Sequence, residues 1–247
     1  IKQKALETKT PYDALIDQYD PYSDAEKIKA LFAPVKDFLV ETIPDAVAKS
    51  ENMPDLADTH RPQKFPQEKQ AILFRVIADK MGFDFKRGRM EMIPAHPSCY
   101  GALDDMRFTT RIDENEFIEP MRALIHEVGH GLYEQNLPRQ WRYTPVGSSQ
   151  GMTIHESQSL FWERQISLHP AFQKWLAPVL HDIGLMPDRS LEEISLYLAH
   201  QKTSVTPSLI RIEADEMTYP LHIFIRFEIE QALMSGEMEV QDLPEVW

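Results

Sequence analysis

A single five-residue pattern constrains this chain more than its composition does. Residues 126–130 read His-Glu-Val-Gly-His, and the surrounding apolar residues recur at helical spacing, which predicts a helix over about 117–136. Residues four apart share one face of a helix, so the imidazoles of His126 and His130 can bind the same metal ion. The alternative is a helix that carries two half-buried histidines and no metal.

Two glutamates supply the other groups that such a site needs. Glu127 projects beside the metal, where it can act as the general base on a metal-bound water. A catalytic metal site also has a third protein ligand and leaves one position open. Glu156 lies near the start of the next helical stretch and completes a two-histidine, one-glutamate set that is typical of catalytic zinc. Alternatively, Glu156 is a first-turn carboxylate that stabilises the helix dipole.

A further carboxylate follows on nearly the same helix face as Glu156. Glu163 lies seven residues later, where it can hold a ligand histidine by the ring nitrogen that does not face the metal. An ion pair with Arg164 or Lys174 is the open alternative. Glu163 is therefore predicted either to support the metal site or to form a structural ion pair.

Charge and cysteine content exclude several classes of protein. Acidic residues number 39 against 26 basic ones, for a formal charge of −13, and such a surface repels nucleic acid and anionic lipid. Cys99 is the only cysteine, so no intrachain disulfide forms and a reducing cytoplasm is expected. No apolar run approaches the roughly 20 residues of a membrane span. We expect a cytoplasmic protein without nucleic-acid or membrane partners.

Apolar periodicity predicts a mainly α-helical chain with a small β-sheet, folded as one domain. Residues 1–65 are predicted as a lead-in of helix and linker, and residues 85–247 as the core that carries the motifs. The segment from Pro44 to Phe65 is predicted as a loop, and residues 89–112 as two short strands. The predicted helices cover about 24–42, 66–82, 117–136, 153–168, 189–202 and 207–235.

Four motifs in a fixed order give the chain a specific resemblance. They are His-Glu-Val-Gly-His at 126–130, His-Glu-Ser-Gln-Ser at 155–159, Ile-Arg-Ile-Glu-Ala-Asp at 210–215 and, upstream, Asp-Met-Arg-Phe-Thr at 105–109. Together they resemble the M32 family of metallocarboxypeptidases, the carboxypeptidase Taq group. The resemblance implies a helical, gluzincin-like metallopeptidase with a deep groove and a small sheet beside the active-site helix. It also implies one divalent ion per chain, Zn(II) or Co(II), peptide substrates with a free C-terminus, and a homodimer.

The chain departs from the family pattern in two places. The family shows His-Pro-Phe upstream of its Asp-x-Arg-x-Thr motif, whereas here His96 and Pro97 precede Ser98, so the wall of the groove is expected to differ. Family members are also considerably longer, and their Gly-x-x-Gln motif lies in a C-terminal part beyond Trp247. We therefore expect a fragment or a truncated member of the family.

Two arginines are candidates for the substrate carboxylate. A guanidinium binds a free carboxylate through two parallel hydrogen bonds, which suits an enzyme that cuts at a C-terminus. Arg211 lies in the third of the ordered motifs and on a predicted helix, where an ion pair with Asp215 is the alternative. Arg107 lies in a predicted strand near His96 and is the second candidate.

Two other side chains are candidates for contact with the substrate. Tyr219 resembles the tyrosine that stabilises the oxyanion in related helical metallopeptidases, and the alternative is a tyrosine packed beside Pro220. His96 is a candidate for orienting the substrate, and the alternative is an ordinary loop histidine. We expect Cys99 to be a small apolar filler rather than a reactive group.

These residues together predict a metal-dependent carboxypeptidase. Strand addition of an extended peptide to residues 105–110 would make recognition largely backbone-driven and therefore broad. An endo-oligopeptidase or an aminopeptidase with the same zinc site is the nearest alternative. A catalytically silent helical domain is the alternative from a different class.

Overall fold

The computed structural model describes residues 7–53, 63–93, 96–203, 205, 207–211 and 214–247. The chain divides into two compact units, one from Ile1–Pro54 with Thr203–Trp247 and one from Asp55–Lys202. The helices and strands, in chain order, are α1 (Pro11–Ile16), α2 (Ala25–Glu51), α3 (Gln67–Met81), β1 (Gly88–Met92), β2 (Ser98–Ala102), β3 (Asp105–Thr110), α4 (Ile118–Gln135), α5 (Met152–Leu160), α6 (Pro170–Asp182), α7 (Leu191–Thr203), α8 (Tyr219–Ser235) and α9 (Leu243–Val246). A π-helical segment, Phe161–Ile166, continues α5.

The first unit is built around the contact of α2 with α8. Phe32 on α2 packs against Phe224 and Phe227 on α8, with ring centroids 4.7 and 5.3 Å apart. Helix α2 begins after Asp24, whose carboxylate accepts a hydrogen bond from the backbone N–H of Lys27. This is the side-chain cap that a helix start requires.

Helix α2 is longer than the sequence predicts. The predicted helix ends at about residue 42 and a loop begins at Pro44, but the helix continues through Pro44 to Glu51. Ser50, near its end, accepts a hydrogen bond from the backbone N–H of Val205. An interior proline removes one hydrogen bond of the helix, and α2 continues past Pro44 despite this loss. Most of the remaining predicted loop, residues 54–62, lies outside the described residues.

The second unit contains a three-stranded sheet in the order β1-β3-β2, with β1 parallel and β2 antiparallel to β3. Met106, Phe108 and Thr110 of β3 are buried, and the strand packs against α4. The sequence predicts two strands here and misses β2, because Gly101 and the neighbouring prolines interrupt its pattern. Because β3 is the central strand, both of its edges are paired, and the prediction that it accepts an added peptide strand is wrong.

The helices around the sheet follow the predictions for α3, α4 and α7. Helix α6 is not predicted, because Pro170 and Pro178 mask its pattern, although Pro170 occupies the first turn, where proline is tolerated. Helix α8 begins at Tyr219 rather than at residue 207. Across the described residues, no helix combines the length and the apolar character that a membrane crossing requires.

Candidate metal centre

Helix α4 presents its two histidines on one face, and α5 brings a glutamate to them. The Nε2 atoms of His126 and His130 are 3.2 Å apart. The carboxylate of Glu156 lies 3.2 Å from His130 Nε2 and 3.8 Å from His126 Nε2. All three ligand atoms lie within 4.8 Å of one another. The structure thus brings together the three residues that the sequence predicts as metal ligands.

The spacing of these atoms suits one small divalent ion. Two nitrogens that are each about 2.0–2.1 Å from a tetrahedral ion lie about 3.3–3.4 Å apart. The observed separation of the two Nε2 atoms is 3.2 Å, so both histidines can reach the same ion with little movement. The donor set, two neutral imidazoles and one carboxylate, is one that catalytic zinc uses.

Gly129 allows α5 to approach α4 closely. A Cβ atom at this position would lie 2.7 Å from the Cα of Ser159 and 2.9 Å from the carbonyl oxygen of Gln158. Ser159 is fully buried in this contact, one turn after Glu156. The missing side chain at position 129 therefore helps to set the distance between Glu156 and the two histidines. This role of Gly129 is not among the predictions from the sequence, although a glycine inside a predicted helix is its signal.

The outward nitrogen of His126 is held directly by a carboxylate. His126 Nδ1 lies 2.7 Å from Glu163 Oε2, and Glu163 is part of the π-helical segment. The other carboxylate oxygen of Glu163 lies 2.8 Å from Arg164 Nε. The prediction that Glu163 contacts a ligand histidine is confirmed, and the ion pair with Arg164 forms as well. This contact leaves His126 Nε2 to face the candidate ion.

The outward nitrogen of His130 has a different partner. His130 Nδ1 lies 2.6 Å from Nδ1 of His155, and His155 Nε2 lies 2.8 Å from a carboxylate oxygen of Glu134. Neither His155 nor Glu134 has a role among the predictions from the sequence. Two signals were present: Glu134 follows His130 by four residues on the same helix, and His155 immediately precedes Glu156.

Burial and charge shift the ionisation of the central groups. Glu127 is only 7% exposed, and this burial, reinforced by the charges of Glu156 and Glu163, raises its pKa to about 7. The hydrogen bond with His130 lowers the pKa of Glu156. Burial opposes protonation of His126, but the hydrogen bond and charge of Glu163 outweigh it and raise the pKa of His126. A carboxylate with a pKa near 7 can both accept and release a proton at neutral pH.

Comparison with known proteins decides the family. The family model described as carboxypeptidase Taq (M32) metallopeptidase matches residues 1–247. The chain belongs to the M32 family. It is 38% identical over 239 residues to "Carboxypeptidase 1" of Bacillus subtilis (strain 168), and the matched region covers 96% of this chain and 46% of that protein. It is also 38% identical over 238 residues to "Thermostable carboxypeptidase 1" of Thermus thermophilus, covering 96% of this chain and 45% of the relative.

Solved structures of M32 proteins resemble this chain over nearly its whole length. "Trypanosoma Cruzi Metallocarboxypeptidase 1" has a TM-score of 0.88 and 38% identity, covering 97% of this chain and 49% of that one. The M32 carboxypeptidase from Deinococcus radiodurans R1 has a TM-score of 0.88 and 31% identity, covering 100% of this chain and 48% of that one. This M32 chain therefore spans about half the length of the relatives that it matches.

Two predicted substrate residues of the M32 chain lie in the same unit as the metal site. Arg107 is on β3, where its guanidinium donates hydrogen bonds of 3.1 and 2.6 Å to the two carboxylate oxygens of Asp105. Its neighbours Met106 and Phe108 point into the core, so Arg107 points to the opposite face of the sheet. His96 is exposed in the segment before β2. Their roles toward a substrate stay predictions.

The other two predicted substrate residues, Arg211 and Tyr219, lie in the first unit. Arg211 Nη1 donates a 2.7 Å hydrogen bond to the phenolic oxygen of Tyr219. Arg211 precedes α8 and is not part of it. Asp215 instead accepts hydrogen bonds from the backbone N–H groups of Met217 and Thr218, so the alternative of an Arg211–Asp215 ion pair on one helix is wrong. Tyr219 begins α8, directly before Pro220.

Proposed function

We propose that this M32 chain carries the metal site of a metal-dependent carboxypeptidase, which hydrolyses the C-terminal peptide bond of peptides. The observation that carries the proposal is the convergence of His126, His130 and Glu156, with ligand atoms within 4.8 Å, beside the buried carboxylate of Glu127. Relatives at 38% identity are named carboxypeptidases. Because the chain spans about half the length of those relatives, the activity is proposed for the whole protein.

His126, His130 and Glu156 would hold the ion, which we expect to be Zn(II) or Co(II). When bound, such an ion acts as a Lewis acid that polarises the scissile carbonyl and makes water a stronger nucleophile at neutral pH. The outward nitrogens of both histidines already have hydrogen-bond partners, which fix the ring orientation. Such outer partners typically accompany the histidine ligands of metal sites.

Glu127 is the proposed general base. Its carboxylate takes a proton from the attacking water and later gives that proton to the leaving amine. Burial raises the pKa of Glu127 to about 7, and a group with a pKa near the working pH is the most effective at such a two-way transfer. General acid–base catalysis of this type contributes roughly 10²–10⁴-fold in rate.

Arg211, Arg107, His96 and Tyr219 are the proposed substrate contacts. A guanidinium can bind the free C-terminal carboxylate of the peptide through two hydrogen bonds. The Tyr219 hydroxyl is the proposed donor to the oxyanion that develops during attack, and loss of such a donor costs about 10²–10³ in rate. The hydrogen bond between Arg211 and Tyr219 supports their joint assignment, since it holds the two groups together. We propose a broad preference for the terminal residue. Leu160, one turn after Glu156 on α5, is neutral and favours no charged terminal residue, whereas strand addition to β3 no longer supports this breadth.

A peptide pair and one substitution test the function. The metal-loaded protein is expected to release the terminal amino acid from a peptide with a free C-terminus and to leave the C-terminally amidated peptide intact. Glu127→Gln should retain the metal and lose turnover by at least about 10²-fold. Glu119→Gln, a change at an exposed residue of the same helix that pairs with Arg122, is the control and should be fully active. Equal cleavage of both peptides, or full activity of Glu127→Gln, would contradict the proposal.

A further inference from the structure

We infer that His155 and Glu134 act as positioning residues for His130, through one hydrogen-bonded chain that runs from the metal ligand to a carboxylate. The inference rests on the metal site proposed above. It assigns a role to two residues that bind neither metal nor substrate. The chain runs from His130 Nδ1 to His155 Nδ1 over 2.6 Å and from His155 Nε2 to Glu134 Oε1 over 2.8 Å.

Only one placement of protons satisfies both hydrogen bonds when His130 binds a metal. Nε2 of His130 faces the other candidate ligands and must offer its lone pair, so its Nδ1 carries the hydrogen. Nδ1 of His155 must then accept that hydrogen. Neutral His155 therefore carries its own hydrogen on Nε2, and it donates this hydrogen to the Glu134 carboxylate, which can only accept. The negative charge of Glu134 fixes the tautomer of His155, and His155 fixes the tautomer and ring angle of His130.

The three side chains are sheltered enough for these hydrogen bonds to hold against water. Their exposed side-chain fractions are 11% for His130, 15% for His155 and 23% for Glu134. The ring of Tyr133 meets the ring of His155 edge-on, with centroids 5.0 Å apart. His130 and Glu134 lie on α4 and His155 lies on α5. These two hydrogen bonds therefore also connect the two helices that carry the metal ligands.

The two histidine ligands are therefore supported in different ways. His126 contacts the carboxylate of Glu163 directly, over 2.7 Å, whereas His130 reaches a carboxylate only through a neutral imidazole. A histidine in that middle position can be replaced without breaking the metal-ligand set itself. Substitution of His155 thus tests the orientation of the His130 ring while all three metal ligands remain, which substitution of a ligand cannot do.

Two substitutions at position 155 separate hydrogen bonding from packing. His155→Phe keeps a ring against Tyr133 but removes both nitrogens. His155→Asn loses the ring but places an amide oxygen near the position of the original Nδ1, where it can accept from His130. Dissociation constants for Zn²⁺ are measured on the 247-residue chain by competition with a chromophoric chelator. We expect His155→Phe to weaken binding about 10–100-fold and His155→Asn to recover a large part of that loss.

A double substitution tests whether Glu134 acts through His155. Glu134→Leu alone should weaken Zn²⁺ binding. The protein with both Glu134→Leu and His155→Phe should bind Zn²⁺ no more weakly than His155→Phe alone, because His155→Phe already breaks the hydrogen-bonded path between Glu134 and His130. Glu119→Leu, at an exposed position on the same helix, is the matched control and should bind as the unmodified chain does. The visible absorption of bound Co²⁺ gives a second readout, since its intensity reports the ligand geometry. This spectrum should change in His155→Phe and return toward the original in His155→Asn.

The outcomes distinguish this inference from the proposed function. If the unmodified chain binds neither Zn²⁺ nor Co²⁺, both fail together. If it binds Zn²⁺ and His155→Phe binds equally well, or better than His155→Asn, the ring only packs and the inference alone is overturned. Losses that multiply in the double variant would also overturn it, because Glu134 and His155 would then act independently.

Discussion

At the scale of single residues, the glycine on each side of His130 determines how closely neighbouring segments approach the metal-binding helix. Gly129 faces the backbone of Ser159 on α5, and Gly131 faces the ring of Phe83, which a Cβ atom would approach to 2.8 Å. Glycine inside a helix costs about 1 kcal/mol relative to alanine. Close packing on both sides of His130 explains why the helix has glycine at these two positions despite that cost.

Gly129→Ala is expected to weaken metal binding. The new Cβ atom would lie 2.7 Å from the Cα of Ser159, so backbone must move and Glu156 moves with it. We expect about 1–3 kcal/mol of lost stability from the overpacking and about 10–100-fold weaker Zn²⁺ binding, comparable to the loss of an outer partner. Gly131→Ala is the comparison, since it presses on Phe83 and not on α5. A Gly129→Ala protein with unchanged Zn²⁺ affinity would refute this role of the close contact.

Cys99 is expected to be chemically inert near neutral pH. Burial, reinforced by the charges of Glu127 and Glu134, raises the pKa of its thiol to about 12. Thiolate is the reactive form, so reaction with a thiol reagent at pH 8 should be far slower than for a free cysteine of pKa about 8.5. The rate should still be rising above pH 10 and should become fast in denaturant. Reaction of the folded protein at the rate of a free thiol would contradict the assignment.

At the scale of secondary-structure elements, local pattern identifies the helices that carry the ligands but not what brings them together. The spacing of His126 and His130 predicts their common face, and α4 forms as predicted. The π-helical turns around Glu163 have no signal in apolar periodicity, and neither does the partnership of His155 with His130. These features depend on contacts between segments that are distant in sequence, so a local pattern does not contain them.

Pro44 also shows that local sequence pattern does not settle where a helix ends, because α2 continues through it. Its position inside the helix gives a testable prediction. An interior proline costs a helix about 3 kcal/mol, and its rigidity in the unfolded chain returns about 0.4–1 kcal/mol. Pro44→Ala should therefore raise the free energy of unfolding by about 2 kcal/mol, as measured by denaturant titration. Pro11→Ala is the control, because Pro11 occupies the first turn of α1, where proline is tolerated. A loss of stability in Pro44→Ala would show that α2 requires its proline.

At the scale of the whole molecule, all three candidate ligands belong to one of the two compact units. A ligand that binds only the folded state stabilises it by mass action, by about 2.7 kcal/mol at a concentration 100 times the dissociation constant. Because Arg211 and Tyr219 belong to the other unit, metal binding and the proposed substrate contacts can be tested separately.

Hydrogen exchange measures where the metal stabilises the chain. Added Zn²⁺ should slow amide exchange in α4, in α5 and in the π-helical segment that follows α5. Exchange in α8 should change much less, since α8 carries none of the three ligands. Mg²⁺ at the same concentration is the control, because it prefers oxygen ligands. Equal protection of both units would contradict a metal site built from α4 and α5 alone.

Metal stoichiometry tests the central claim most directly. After dialysis against Zn²⁺ and then against metal-free buffer, elemental analysis of the unmodified chain should find one zinc per chain. Glu156→Ala, His126→Ala and His130→Ala should each lose most of it, while His181→Ala, at an exposed histidine beside Asp182, should keep it. No bound zinc in the unmodified chain, or full zinc content in Glu156→Ala, would contradict a site formed by two histidines of α4 and one glutamate of α5.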